Sequence, residues 1–186
     1  FIPIVECHAQ TQSIADFSVP SEGYGQFLVD IFHEWYAHDV GKVYVSQFDN
    51  LLGQWLGYPS TTCVHQPTCG QSLVAEANGD VYACDHFVYP EYKVGNLTQQ
   101  PLTEIVLSSK QQQFGLEKSQ KLTALCRRCE FRKLCYGGCP KHRFISLENE
   151  PNPHNYLCAS YRYFFEQTAL YMQAMARQIR LHPSAA

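Results

Sequence analysis

Eight of the nine cysteines in this 186-residue chain fall between positions 63 and 158, in two runs. The runs are Cys63-x5-Cys69-x14-Cys84 and Cys126-x2-Cys129-x5-Cys135-x3-Cys139-x18-Cys158, and Cys7 stands apart. Thiols at this density are either cross-linked or organised by metal. A disulfide scheme would leave one thiol over and needs an oxidising compartment, for which the chain carries no address. It opens on Phe1-Ile2-Pro3-Ile4-Val5 with no initiator Met and no basic leader, which reads as a segment cut from a longer protein. Metal or cluster ligation is therefore the leading expectation. Eight thiolates make two sites of four, the number taken by tetrahedral zinc or a cubane 4Fe-4S cluster.

The x2 spacing lets two sulfurs from one tight turn reach the same centre, and the x5 and x3 arms add ligands from the same loop. Gly137-Gly138 supplies backbone freedom where the chain must wrap closely. Cys139-Pro140 matches the ending of the bacterial ferredoxin run, whose last Cys ligates the other cluster. Spacing favours iron–sulfur over zinc, but thiolate suits both metals. Nor does it say which cysteines share a site; the simplest grouping keeps Cys126, Cys129, Cys135 and Cys139 together. Cys7 reads as a free thiol packed as a small hydrophobe.

Composition sets the class. Hydrophobic residues are 45% and charged residues 17%, so the chain is folded rather than disordered. A net charge of -3 argues against nucleic acid or an anionic membrane as a bulk electrostatic partner. No apolar run approaches the roughly 18 residues that span a bilayer. A cytoplasmic protein is expected.

Residues 1–58 read as alternating strand and helix. Ile2 to Val5 is a buried-strand candidate, and a helix follows Pro20 with Ser21 as N-cap. Tyr24, Phe27, Leu28, Ile31, Phe32, Trp35 and Tyr36 recur at helical spacing. Gly41 ends that helix, Val43 to Phe48 reads as a second strand, and Asn50 to Leu56 as a second helix. The order suggests the tail of a parallel sheet or β/α barrel, which 58 residues cannot close alone. Gly57-Tyr58-Pro59-Ser60 marks the boundary with a second domain, 59–186. There, Asn78-Gly79 predicts a two-residue type I′ hairpin that pairs Ala77 with Asp80 and sets Cys84 opposite Leu73. A helix from Pro101 runs toward Phe114, residues 125–140 show no period, and Leu157 to Ile179 forms a long helix packing back on the body.

The cysteine pattern with Gly79, from Cys69 to Cys158, resembles the SPASM domain, the auxiliary-cluster module of radical SAM peptide-modifying enzymes. Thr68-Cys69-Gly70, the Tyr82-Ala83-Cys84-Asp85-His86-Phe87-Val88 run and the Phe1-to-Glu6 opening further resemble the anaerobic sulfatase-maturating enzymes. The likeness covers nearly the whole chain. Those enzymes oxidise a Cys or Ser of a sulfatase polypeptide to Cα-formylglycine. The fold implied is α/β plus α+β: the last units of a partial barrel, then a Cys-rich SPASM domain with a hairpin and a C-terminal helix. The ligation implied is crossed: Cys63, Cys69, Cys84 and Cys139 hold one auxiliary 4Fe-4S cluster, and Cys126, Cys129, Cys135 and Cys158 the second. The family's C-x3-C-x2-C loop is absent from these residues. S-adenosylmethionine and a third 4Fe-4S cluster are therefore expected only in the intact enzyme, and this segment alone should not cleave SAM.

Forming the aldehyde removes two electrons and two protons from the substrate. In the family a 5′-deoxyadenosyl radical takes one hydrogen atom, leaving one proton and one electron to dispose of. Asp85, next to Cys84, resembles the proposed general base, against the plainer reading of a loop carboxylate capping N–H groups. His86 and His65 read as supporting or surface groups. Asp49 reads as a helix cap before a substrate-facing residue. Arg127, Arg128, Arg132, Lys133, Lys141 and Arg143 would offset thiolate charge, or dock a small acidic redox partner. The alternatives are another SPASM peptide maturase and a non-enzymatic zinc-scaffold module.

Overall fold

The computed structural model describes residues 1–8 and 13–182; positions 9–12 and 183–186, inside the two expected domains, lie outside them. The core is helical. α1 (Ser21–His38) and α2 (Ser46–Leu56) pack on α7 (Cys158–Leu181), the long helix expected near the C-terminus. Leu28 and Phe32 of α1, Phe48 of α2 and Phe164 and Met172 of α7 are buried together. The Phe32 ring meets Phe48 edge-on at 5.5 Å and Phe164 at 6.1 Å, the offset geometry aromatic quadrupoles prefer. Tyr24, Leu28, Phe32 and Trp35 face inward as their period requires, whereas Phe27 and Tyr36 lie at the rim of that stripe and are exposed.

Three expectations for the N-terminal part are corrected. Among the described residues Ile2 to Val5 pairs with no strand; Val5 is buried, while Ile2 and Ile4 are exposed. Val43 to Phe48 is not a strand either. α2 begins at Ser46, because the Asp49 carboxylate accepts the Val45 N–H at 2.7 Å and closes the first turn. Asp49 thus holds the helix start. Ser21 is the first helical residue rather than the cap, a position Pro20 occupies, and its Oγ instead lies 3.0 Å from Ser160 Oγ on α7. α1 ends at His38, with Gly41 in the turn beyond.

Between α2 and α7 in sequence the chain forms short elements. β1 (Val74–Ala75), β2 (Asp80–Tyr82) and β3 (Lys93–Asn96) make an antiparallel sheet in that order. The hairpin register is one residue off the expected one: Val74 faces Tyr82 and Ala75 faces Val81. Asn78 does not take positive φ; Gly79 alone does, at 84°, and Glu76 N–H bonds Asp80 O at 2.8 Å. That is the three-residue loop with a left-handed Gly, not the two-residue turn. The helix expected from Pro101 is two, α3 (Leu102–Leu107) and α4 (Ser109–Gln120), broken at Ser108, whose side chain caps α4. Residues 125–140 hold α5 (Ala124–Arg128) and α6 (Arg132–Cys135), each too short to show a period. β4 (Arg143–Ile145) and β5 (His154–Asn155) form a second antiparallel pair leading into α7.

Candidate metal centres

The cysteines gather in two sets. Cys126 and Cys129 flank the end of α5, Cys135 ends α6 and Cys158 opens α7. All four line one cavity of about 270 Å³, together with Arg128, Arg132 and His154, and no other cysteine lines it. Thr123 starts this site: its hydroxyl accepts the Cys126 N–H and pairs with His154 Nδ1 at 3.0 Å. His154 Nδ1 also lies 3.7 Å from Cys126 Sγ. Burial, reinforced by Cys158, Cys126 and Cys129, pushes the Cys135 thiol up to about 12. Cys158 rises to about 11, again mainly by burial, with Cys126 and Cys129 adding to it.

The other set comes from four separate segments. Cys63 opens a 3-10 turn, Cys69 ends the following loop, Cys84 follows β2 and Cys139 ends the Gly137-Gly138 loop. Burial raises Cys69 to about 11; the charges that act on it next include Lys118, Cys139 and Cys63. Cys84 is raised to about 12 by burial, with Asp85 and Cys139 contributing. Cys139 is raised by burial and by Cys63. Thiols held this high bind metal only by giving up their protons, so occupancy and deprotonation are coupled. Among the described residues no three His, Cys, Asp or Glu side chains converge on a single ion. A cubane takes one cysteine per iron, so thiols that surround a cavity, as Cys126, Cys129, Cys135 and Cys158 do, suit its donor requirement.

The loop joining the sets is unusual. Tyr136, Gly137 and Gly138 all take positive φ, at 49°, 73° and 62°. That run turns Cys135 toward one set and Cys139 toward the other, and two side chains brace it. Arg143 donates to the carbonyls of Tyr136 at 3.0 Å, Gly137 at 3.1 Å and Lys118 at 2.7 Å. Asn155 Nδ2 donates to Gly137 O at 3.0 Å and Cys139 O at 3.3 Å, and its Oδ1 accepts the Leu157 N–H at the start of α7.

Asp85 lies exposed beyond β2, on a cleft of about 410 Å³ shared with Glu6, His86, Tyr89, Lys141 and His142. Its Oδ1 accepts from Cys84 Sγ and from the His86 N–H, each at 3.1 Å. The thiol contact, with smaller help from His86, holds its carboxyl below the usual carboxylate range. His86 Nδ1 is 3.8 Å from Cys139 Sγ. His65 is buried between the rings of Tyr161 and Phe165, and burial with the nearby Lys118 charge lowers it to about 4. Cys7 forms an isolated bridge with Ile14; burial and Glu6 raise its thiol.

The basic cluster of the sequence disperses. Arg128 and Arg132 line the cavity of Cys126, Cys129, Cys135 and Cys158, Arg127 binds Leu122 O, Lys141 meets Glu6 and the Tyr89 hydroxyl, and Arg143 is largely enclosed. Sequence reasoning missed Lys118, Asn155, His142 and His154. None sits in a motif; all belong to the polar lining that the fold assembles.

Comparison with known proteins places these observations. Residues 63–130 match the SPASM family, described as an iron-sulfur cluster-binding domain. The chain is 45% identical over 168 residues to a serine-type anaerobic sulfatase-maturating enzyme of Bacteroides thetaiotaomicron, covering 90% of this chain and 40% of that protein. It is 33% identical over 153 residues to a cysteine-type enzyme of Clostridium perfringens, covering 81% and 41%. A solved structure described as native anSMEcpe with bound AdoMet and Cp18Cys peptide superposes with a TM-score of 0.77 at 31% identity, covering 94% of this chain and 47% of that one. The chain spans about two fifths of the length of the curated relatives it matches.

Proposed function

We propose that this chain, which resembles the anaerobic sulfatase-maturating enzymes over the stretch it spans, is the auxiliary-cluster region of a radical SAM oxidoreductase. The whole enzyme would oxidise a Cys or Ser of a sulfatase polypeptide to Cα-formylglycine. Residues 1–58 would be the end of its partial β/α barrel and 59–186 its SPASM domain.

The observation that supports the reading is the division of the thiols: Cys139 lies outside the cavity lined by Cys126, Cys129, Cys135 and Cys158, acts electrostatically on Cys84, and has its Sγ 3.8 Å from Nδ1 of His86, the residue after Asp85. Cys63, Cys69, Cys84 and Cys139 would hold one 4Fe-4S cluster and Cys126, Cys129, Cys135 and Cys158 the other. When bound, such clusters supply a one-electron acceptor beside the substrate. Asp85 would take the proton of the substrate thiol or hydroxyl. Once Cys84 is a metal-bound thiolate it no longer donates to Asp85, which leaves Oδ1 with the His86 N–H and room for a substrate donor. Glu6, Tyr89 and Lys141 offer polar contacts to a peptide entering the same cleft.

Two experiments test this. Anaerobic reconstitution should give about eight iron per chain with the broad visible absorption of thiolate-bound clusters. Cys139→Ala and Cys135→Ala should then each lose half the iron but leave different clusters, distinguishable by electron paramagnetic resonance. Identical residual spectra would restore the simple grouping, and two zinc without visible absorption would remove the redox function. In the intact enzyme, Asp85→Asn should abolish formylglycine formation at unchanged iron content. Full turnover would rule Asp85 out as the base.

A further inference from the structure

Lys118 is 1% exposed, on a helix whose mean character is polar. Its ammonium donates to the carbonyls of Cys63 and Val64, the latter at 3.0 Å. Those bonds satisfy donors but not charge. No ion pair involving Lys118 is formed among the described residues, and the adjacent Glu117 is taken by Lys121 at 2.6 Å. Arg143 nearby adds a second positive charge, which makes the burial less favourable still. Burial, aided by Arg143, lowers the Lys118 ammonium to about 8, so it is charged at neutral pH and a negative group beside it favours that charge. The groups that favour its charged form are Cys69, Cys63 and Cys139, all of one set.

The two sets differ in this respect. Arg143 is influenced by thiols of both: Cys126 and Cys135 on one side, Cys139 and Cys69 on the other. The thiols that act most strongly on Lys118, Cys69, Cys63 and Cys139, all belong to one set. Reducing a thiolate-ligated cluster by one electron makes it one charge more negative, and a fixed cation in a low-dielectric interior favours that state.

We infer that Lys118 is a positioning charge for electron transfer: it raises the reduction potential of the cluster held by Cys63, Cys69, Cys84 and Cys139 relative to that of the other cluster. The inference rests on the crossed ligation proposed above. The electron released as the substrate radical becomes the aldehyde is thereby drawn to the site beside Asp85. No bond forms or breaks at that site; one electron arrives there and the accompanying proton goes to Asp85.

The test is a potentiometric titration of the reconstituted full chain with dithionite and mediator dyes, followed by electron paramagnetic resonance. The signal missing from Cys69→Ala identifies the first cluster. Lys118→Gln keeps a donor for the two carbonyls and removes the charge, and Lys118→Arg restores the charge. Expected is a negative shift of the first cluster's potential in Lys118→Gln, with the second unmoved and iron content unchanged, and recovery of the shift in Lys118→Arg. An unmoved first potential, equal shifts of both, or loss of the first cluster's iron in the Gln variant would overturn the inference, the last making Lys118 a strut for the Cys63 turn. Failure of the wild-type chain to show two four-iron centres would instead refute the ligation reading.

Discussion

Gly115 shows how much a single position carries. It lies within α4, where Gly costs about 1 kcal/mol relative to Ala by propensity alone. A Cβ there would sit 2.5 Å from the Cys69 carbonyl oxygen, which belongs to backbone and is anchored by the Cys69 N–H bond to Gly115 O at 3.3 Å. Gly115→Ala should therefore reverse the propensity gain, destabilising the chain by about 1–3 kcal/mol through overpacking. It should also weaken iron retention by the set that includes Cys69 and spare the other. Urea denaturation and iron counts of the reconstituted variant check this, and a stabilised variant with full iron would refute it. Gly79 is different: it is needed for its positive φ, and that requirement was readable from Asn78-Gly79 in the sequence although the turn type was not. The distinction between turn types rests on the φ of Asn78, to which neighbouring Glu76 and Asp80 contribute through their backbone bonds.

Elements were legible where a period was long and blurred where it was short. The apolar stripe of α1 and the Tyr161, Phe164, Phe165, Thr168, Met172, Met175 stripe of α7 both appear as buried faces. Val43 to Phe48 misled because a short apolar run such as Val43-Tyr44-Val45 does not distinguish a strand from a helix lead-in. The capping contact from Asp49 to Val45 decides it in favour of the helix. The break at Ser108 was equally hidden, since Ser inside a helical pattern is tolerated until its side chain finds the N–H of Gln111, here at 3.2 Å. Ser108→Ala should cost about 1 kcal/mol through the lost cap. The measurement is the urea midpoint, with Ser109→Ala, one residue inside the helix, as the control expected to change little. Equal effects at the two positions would contradict capping at Ser108.

At the scale of the molecule the cysteine spacing suggested two sites of four thiols but not which thiols would share one, because the proposed crossing would be made by a three-residue left-handed run that has no sequence period. The supporting layer was hidden for a related reason. From Ser60 to Tyr156 the buried apolar side chains are only Val81, Ala83, Ile105 and Leu122, while His65, Gln111, Lys118, Thr123, His142, His154 and Asn155 are buried polar residues. That segment has little hydrophobic core of its own, whereas α1, α2 and α7 share a continuous one. A core so small does not offset the conformational entropy of ordering nearly a hundred residues, so metal ligation should supply the balance. Stripping metal by chelation under reducing conditions should thus divide the chain: the helical layers keep their amide protection, and residues 63–140 lose it. Hydrogen exchange read by mass spectrometry distinguishes the two regions. Restoring iron should restore protection in both cysteine runs, with Cys139→Ala recovering it around Cys126 and Cys129 but not around Cys69 and Cys84. Uniform protection in the stripped chain would mean that the polar lining, rather than the metal, holds this segment together.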